Sequence, residues 1–200
     1  MESAALAALH AATDDALHEL ESLPLVRRVM SRGVTLDDYR AYLQAHLQVF
    51  AAWSESYPRC LRRRCRCNPA SRLDALHLDL AALGGGVLDA TPRERFGFDW
   101  PPESPCWWGA LYVFEGTRLD ARAVAGHLRR ELGVCVAGAL RFLDPLNEAS
   151  SQPAWATTVQ SIERALTPES LAEGIDGART ALAHLHTALS STESTCREAA

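Results

Sequence analysis

The stretch from Pro105 to Arg130, PCWWGALYVFEGTRLDARAVAGHLRR, reads as the longest buried helix of the chain. Ser104 is a capping residue type, and Pro105 occupies the first helical position, where its missing N–H removes no helical hydrogen bond. Trp108, Leu111, Tyr112, Glu115, Leu119, Ala123 and Leu128 recur at the three-to-four spacing of one helical stripe and are the expected inward face. Gly109 and Gly116 interrupt this helix, each at a cost of about 1 kcal/mol relative to alanine. Two such glycines imply that something approaches the backbone closely, either another helix or a flat ligand.

A chain of 200 residues with 48% hydrophobic and 22% charged content suits one globular domain around a substantial core. A net charge of −5 provides no general basic field, so nucleic acid is not an expected partner. The N-terminus carries early acids and lacks a basic segment followed by a long apolar one, so no signal peptide is expected. No run reaches the ~18 apolar residues of a membrane span, so neither a membrane partner nor a membrane location is expected. A cytoplasmic location follows as the expectation. Cys60, Cys65 and Cys67 cluster without a C-x-x-C pair, which favours free thiols over structural zinc. The surrounding arginines leave a lowered thiol pKa, and hence redox sensitivity, as the alternative.

The first helix is expected over Ala4 to Glu21, with Leu6, Leu9, Thr13, Leu17 and Leu20 on one face. A short helix follows from Pro24 to Arg32, with Ser22 as its cap and Gly33 as its stop. Thr35 and Asp38 form a capping-box pattern that opens a helix to about Tyr57. Its core face is Tyr39, Tyr42, Leu43, His46, Leu47 and Phe50, with His46 expected to be hydrogen-bonded inside the bundle. Arg59, Arg62, Arg63, Arg64 and Arg66 form a solvated helix end or an anion site. Leu73, Leu76, Leu80 and Leu83 mark another helix, stopped by Gly84, Gly85 and Gly86. Beyond the long helix, a short one is expected over Val134 to Leu143, then one through Trp155, Val159, Ile162 and Leu166. The last starts at Thr167-Pro168 and carries Leu171, Ile175, Ala178, Leu182, Leu185 and Leu189. No alternating strand pattern and no internal repeat is present. The fold class is all-α, with one domain over residues 1–189 and a polar tail over 190–200.

The segment GALYVFEGTRLDARAV, together with LHAAT near the N-terminus and LDLAALG between them, resembles the bacterial haem oxygenases, especially the phytochrome-associated type. The resemblance runs in order from Leu9 to Leu189. It implies a single-domain helical bundle holding haem between the first helix and the long one, with oxidative cleavage of haem to biliverdin. It also implies an axial nitrogen, a glycine-rich distal backbone, basic side chains for the propionates and an electron donor. On the distal side the resemblance assigns Gly116, Thr117, Asp120 and Ala121 as the catalytic segment, with Asp120-Ala121 standing where the family carries a Gly-Gly pair. It places Leu17, Tyr112, Leu119, Arg122 and Phe142 around the cofactor, with Arg122 as a propionate partner. The proximal histidine of the family falls at Leu17. His18, one residue later, is turned ~100° around the helix and is the candidate metal ligand that remains, against an exposed or capping role. His10 lies nearer the apolar stripe, about 10 Å from Leu17 along the axis.

Three readings stay open on these residues. The first is a haem oxygenase with a recruited ligand. The second is a diverged, noncatalytic member that binds a tetrapyrrole or another small planar molecule. In the third, the bundle is a partner of another protein, for example a photoreceptor or an oxygenase.

Overall fold

A computed structural model describes residues 4–64, 69–85, 95–144 and 151–198, with side chains placed for all of these but 62–64, 118–120, 151–154 and 193–198. The described residues are helices joined by short turns, without a strand, as the all-α expectation required. The helices are α1 (Ala4–Ser22), α2 (Pro24–Val29), α3 (Leu36–Ser56), α4 (Arg59–Arg64), α5 (Pro69–Ala82), α6 (Cys106–Gly116), α7 (Arg118–Leu132), α8 (Ser151–Ala165) and α9 (Leu171–Glu198). The Cys65, Cys67 and Arg66 part of the basic cluster lies outside the described residues.

Local chemistry explains most of these boundaries. At the start of α3 the Thr35 hydroxyl accepts from the Asp38 N–H, and the Asp38 carboxylate accepts from the Thr35 N–H, so both halves of the capping box form. α5 stops where Gly84 takes a positive φ of 70° and the Gly85 N–H reaches back to the Leu80 carbonyl. α7 stops at Gly133, with φ 58°. At α2, Ser22 is not the cap: its hydroxyl donates to the Glu19 carbonyl within α1, and Leu23 precedes the helix without a capping bond.

The Pro105–Arg130 stretch is two helices jointed at Thr117, not one. Ser104 serves its start, accepting from the Cys106 N–H at 3.2 Å. Of the expected inward face, Trp108, Leu111 and Leu128 are buried, Tyr112 and Glu115 are half-buried, and Ala123 is exposed. At the joint the Phe114 carbonyl accepts from the Thr117 hydroxyl at 3.1 Å and from the Arg72 guanidinium, which arrives from α5.

The expected helix over Val134 to Leu143 is instead a 3-10 turn, Gly133–Val136, followed by irregular turns. Its backbone is diverted. The Arg141 and Phe142 N–H groups donate to the buried Asp79 carboxylate at 3.0 and 2.8 Å rather than to carbonyls a turn earlier. α9 begins later than expected, at Leu171, after a Thr167–Ser170 turn, and continues to Glu198, beyond Leu189.

α9 packs along α6, α1 and α3, while α3 packs on α5 and α8 on α6. The α6–α9 contact is backbone to backbone. A Cβ added at Gly109 would lie 1.7 Å from the Gly174 carbonyl oxygen, and one at Gly177 would lie 2.0 Å from that of Cys106. On the other side of α6, Trp53, Phe98, Trp107 and Phe114 form a buried aromatic cluster, with Trp53 and Phe114 centroids 4.7 Å apart. Phe96 and Phe98, from the segment before Pro101, are buried, and Trp100 covers their edge.

Candidate functional site: a cavity between the first helix and the Thr117 joint

α1 lies across from the α6–α7 joint, and the two do not close on each other. A cavity of about 360 Å³ separates them, within the size range of small-molecule sites. Leu17 and Leu20 of α1 and Val26 of α2 form one wall. Tyr112, Val113, Gly116, Thr117, Ala121 and Val124 form the opposite wall. Trp155 of α8 closes one side, with its ring centroid 6.1 Å from that of Tyr112. Phe142 and Leu143, both buried, lie deep in the cavity, whereas His10 and Glu21 are exposed at its rim.

Gly116, Thr117 and Ala121 are the small residues of the wall opposite α1. Nothing but the Trp155 ring, at 3.9 Å, stands within 4 Å of a Cβ built at Gly116. Ala121 contributes a methyl group. The two glycines of α6 therefore have different causes, as the sequence left open: Gly109 admits a helix and Gly116 faces a cavity.

Of the residues expected around a cofactor, Leu17, Tyr112, Gly116, Thr117, Ala121 and Phe142 border this one space. His18 does not. Its side chain is 72% exposed, and Nδ1 lies 2.9 Å from the Asp14 carbonyl, on the outer face of α1. That bond and the nearby Asp14 carboxylate raise its pKa. As a metal ligand His18 is misplaced, because one residue of helix carries the side chain around the cylinder and away from Leu17. Arg122 also faces outward, 3.7 Å from the Asp144 carboxylate, which Arg129 contacts at 2.8 Å. The side chains of Leu119 and Asp120 lie outside the described residues.

Three polar residues border the cavity as well: Tyr42 and His46, which the sequence placed on a core face, and Arg72, for which it gave no expectation. Tyr42 and His46 are one turn apart on α3, with ring centroids 4.3 Å apart. The Tyr42 carbonyl can only accept, so the His46 Nδ1 at 2.9 Å carries the proton and Nε2 keeps its lone pair. Burial pushes the His46 pKa down to about 4, so the ring is neutral near pH 7. Burial likewise pushes the Tyr42 phenol up to about 12, so it stays protonated. Arg72 of α5 is only 8% exposed, with its guanidinium carbon 4.4 Å from the Phe50 centroid and 4.6 Å from that of Phe142. One signal for Arg72 was available. It stands one turn before Leu76 and two before Asp79, so α5 carries two charges in register with its buried leucine.

Asp79 fixes this end of the cavity. Burial raises its pKa, against the opposing effect of the Phe142 and Arg141 N–H groups that it accepts from. Those bonds hold the backbone of Phe142 so that its ring meets Arg72, Phe50 and His46.

A heme oxygenase of Xanthomonas campestris pv. campestris (strain 8004) is 36% identical over 123 residues, which cover 59% of this chain and 67% of that protein. The chain belongs to the haem oxygenase family. No family model matches it. Within the family's architecture, the donor set does not fit an iron-centred haem held from α1. The wall that should supply an axial nitrogen presents the Leu17 side chain, and the nearest imidazole on that wall, His10, stands at the exposed rim. Gly116, Thr117 and Ala121 line one side of the cavity, and Leu17 and Leu20 line the other.

Among the described residues no group of three or more metal-binding side chains is present, and no helix is long and apolar enough to cross a membrane.

Proposed function

We propose that this chain binds a flat, haem-like ring in the slot between α1 and the Thr117 joint, without an iron bond from α1. The observation that carries the reading is the pairing of Leu17 with Gly116, Thr117 and Ala121 across one cavity. An apolar side chain there offers contact area to a ring but no lone pair to a metal. The ring stacks between the leucine wall and the small-residue wall, while Tyr112 and Trp155 contact its edge. Its contribution is chiefly hydrophobic, at ~25 cal/mol per Å² of apolar surface removed from water. Iron-free protoporphyrin tests this directly through quenching of tryptophan fluorescence. Saturable binding of one ring per chain, weakened by Gly116→Leu, is expected. Absence of saturable quenching by both the iron-free ring and haemin contradicts the reading.

A second reading, oxidative cleavage of haem to biliverdin, is favoured by the name of the Xanthomonas relative and by Gly116 on the distal wall. It needs an electron donor and a nitrogen for the iron. Haemin added with a reductant in air separates the two readings: loss of the haem Soret band with appearance of a bilin spectrum supports turnover. An unchanged band supports binding alone.

A further inference from the structure

The cavity sets a neutral hydrogen-bond donor beside a neutral acceptor. Tyr42 and His46 stand one turn apart on α3, with ring centroids 4.3 Å apart, and both border the open space. His46 is 8% exposed, and its ring centroid lies 5.3 Å from that of Phe142, a buried wall residue. An imidazole acceptor left unpaired in such a place costs free energy that an apolar side chain would not.

Both groups are set before any ligand arrives. The Tyr42 carbonyl accepts from the His46 Nδ1–H, which orients the ring and leaves Nε2 as an acceptor. Burial, with the charge of Arg72 acting in the same direction, keeps the imidazole neutral, and burial keeps the Tyr42 phenol protonated. Neither the Tyr42 hydroxyl nor His46 Nε2 bonds to another described residue, and neither is sealed from the space beside it. One donor and one acceptor, uncharged and on one helix face, select their complement. A carboxylate brings no donor, and an ammonium brings no acceptor. An amide edge brings both in one plane, which suits a site where the Phe50 and Phe142 rings flank His46.

We propose that Tyr42 and His46 form a subsite for an amide edge, so that the planar ligand of this cavity carries a ring N–H beside a C=O. His46 Nε2 accepts from the N–H, and the Tyr42 hydroxyl donates to the C=O. This rests on the ring-binding reading above and adds to it the polar edge that selects among flat ligands. Two sources supply that chemistry: the imide edge of a flavin-type tricycle, and the lactam ends of a tetrapyrrole whose ring has been opened.

Lumichrome and its N,N-dimethyl derivative share one flat tricycle and differ in whether the imide edge carries N–H groups. The dimethyl esters of biliverdin and protoporphyrin pose the same question among tetrapyrroles, since only the opened chain has lactams and the acids are capped in both. Tryptophan-fluorescence titration of the full chain with all four, in the native protein, Tyr42→Phe and His46→Phe, tests the subsite. In at least one pair the amide-bearing member is expected to bind about tenfold or more tightly, because its counterpart leaves buried polar groups unpaired. The pair that shows the preference identifies the source. His46→Phe is expected to abolish that preference. Tyr42→Phe, which deletes one oxygen and leaves the ring packing in place, is expected to reduce it about three- to tenfold and leave the affinity of the amide-free member unchanged. Equal binding within both pairs, or a preference that survives both substitutions, overturns the subsite and leaves ring binding standing. Failure of the native chain to bind any of the four, or iron-free protoporphyrin itself, overturns both.

Discussion

Gly109 and Gly116 lie seven residues apart on α6, and their surroundings are opposite. At Gly109 the α9 backbone is so near that a Cβ would fall 1.7 Å from the Gly174 carbonyl oxygen. At Gly116 the first foreign atom is a Trp155 ring carbon at 3.9 Å, and the position opens on the cavity. One end of the helix is packed on the α9 backbone, and the other borders the cavity. The same residue type can thus be required by close packing at one place and border open space at another, and only the neighbouring helix tells them apart.

Substitution breaks this contrast most forcefully at the packed end. Gly109→Ala places a methyl group against unyielding backbone and is expected to cost about 3 kcal/mol or more, at the upper end of overpacking penalties. A shift in the urea midpoint reads it.

The next largest effect belongs to the slot and depends on pH. His46 has a folded pKa of about 4 against 6.5 in the unfolded chain, so above pH 6.5 its protonation does not differ between the two states. As pH falls below 6.5, the unfolded chain takes up a proton that the folded one refuses until about pH 4. Stability is therefore lost over that window, by up to about 3 kcal/mol from this group. In His46→Leu the midpoint at pH 5 is expected to fall less, relative to pH 7, than in the native chain.

Gly116→Ala sharpens the comparison with Gly109. With no atom inside 3.9 Å it is expected to change stability by less than about 1 kcal/mol, and in the stabilising direction. Its methyl group narrows the slot, so ring affinity is expected to fall while the urea midpoint does not. The smallest effect is expected at Arg122, whose carboxylate partner Asp144 is also held by Arg129. Arg122→Ala is expected to shift stability and ring affinity by no more than about 0.5 kcal/mol, as for an exposed pair.

Elements governed by neighbours in sequence were legible from the sequence. The Thr35–Asp38 capping box, the Gly84 stop, and the α1 stripe from Leu6 to Leu20 depend on residues within a turn or two. The outward turn of His18 was legible for the same reason, since ~100° per residue fixes it against Leu17. What was hidden depends on partners far along the chain. The residues before Leu143 have a helical pattern, but Asp79 on α5 takes the Arg141 and Phe142 N–H groups. The joint at Thr117 is met by Arg72 from α5. Tyr42 and His46 read as ordinary members of a core face because helical periodicity reports burial and not what the buried face encloses. The slot's walls were expected from the resemblance; its polar floor was not.

The central claim is that the slot holds a flat ring by its faces and not through a metal bond from α1. The most direct test compares the dissociation constants of haemin and iron-free protoporphyrin in the native chain and in Leu17→His. The account predicts similar constants for the two rings in the native chain, and a haemin affinity that rises on its own, with an imidazole-ligated Soret band, once the histidine is supplied. Native protein that binds haemin far more tightly than the iron-free ring, with an imidazole-ligated spectrum already present, would contradict it.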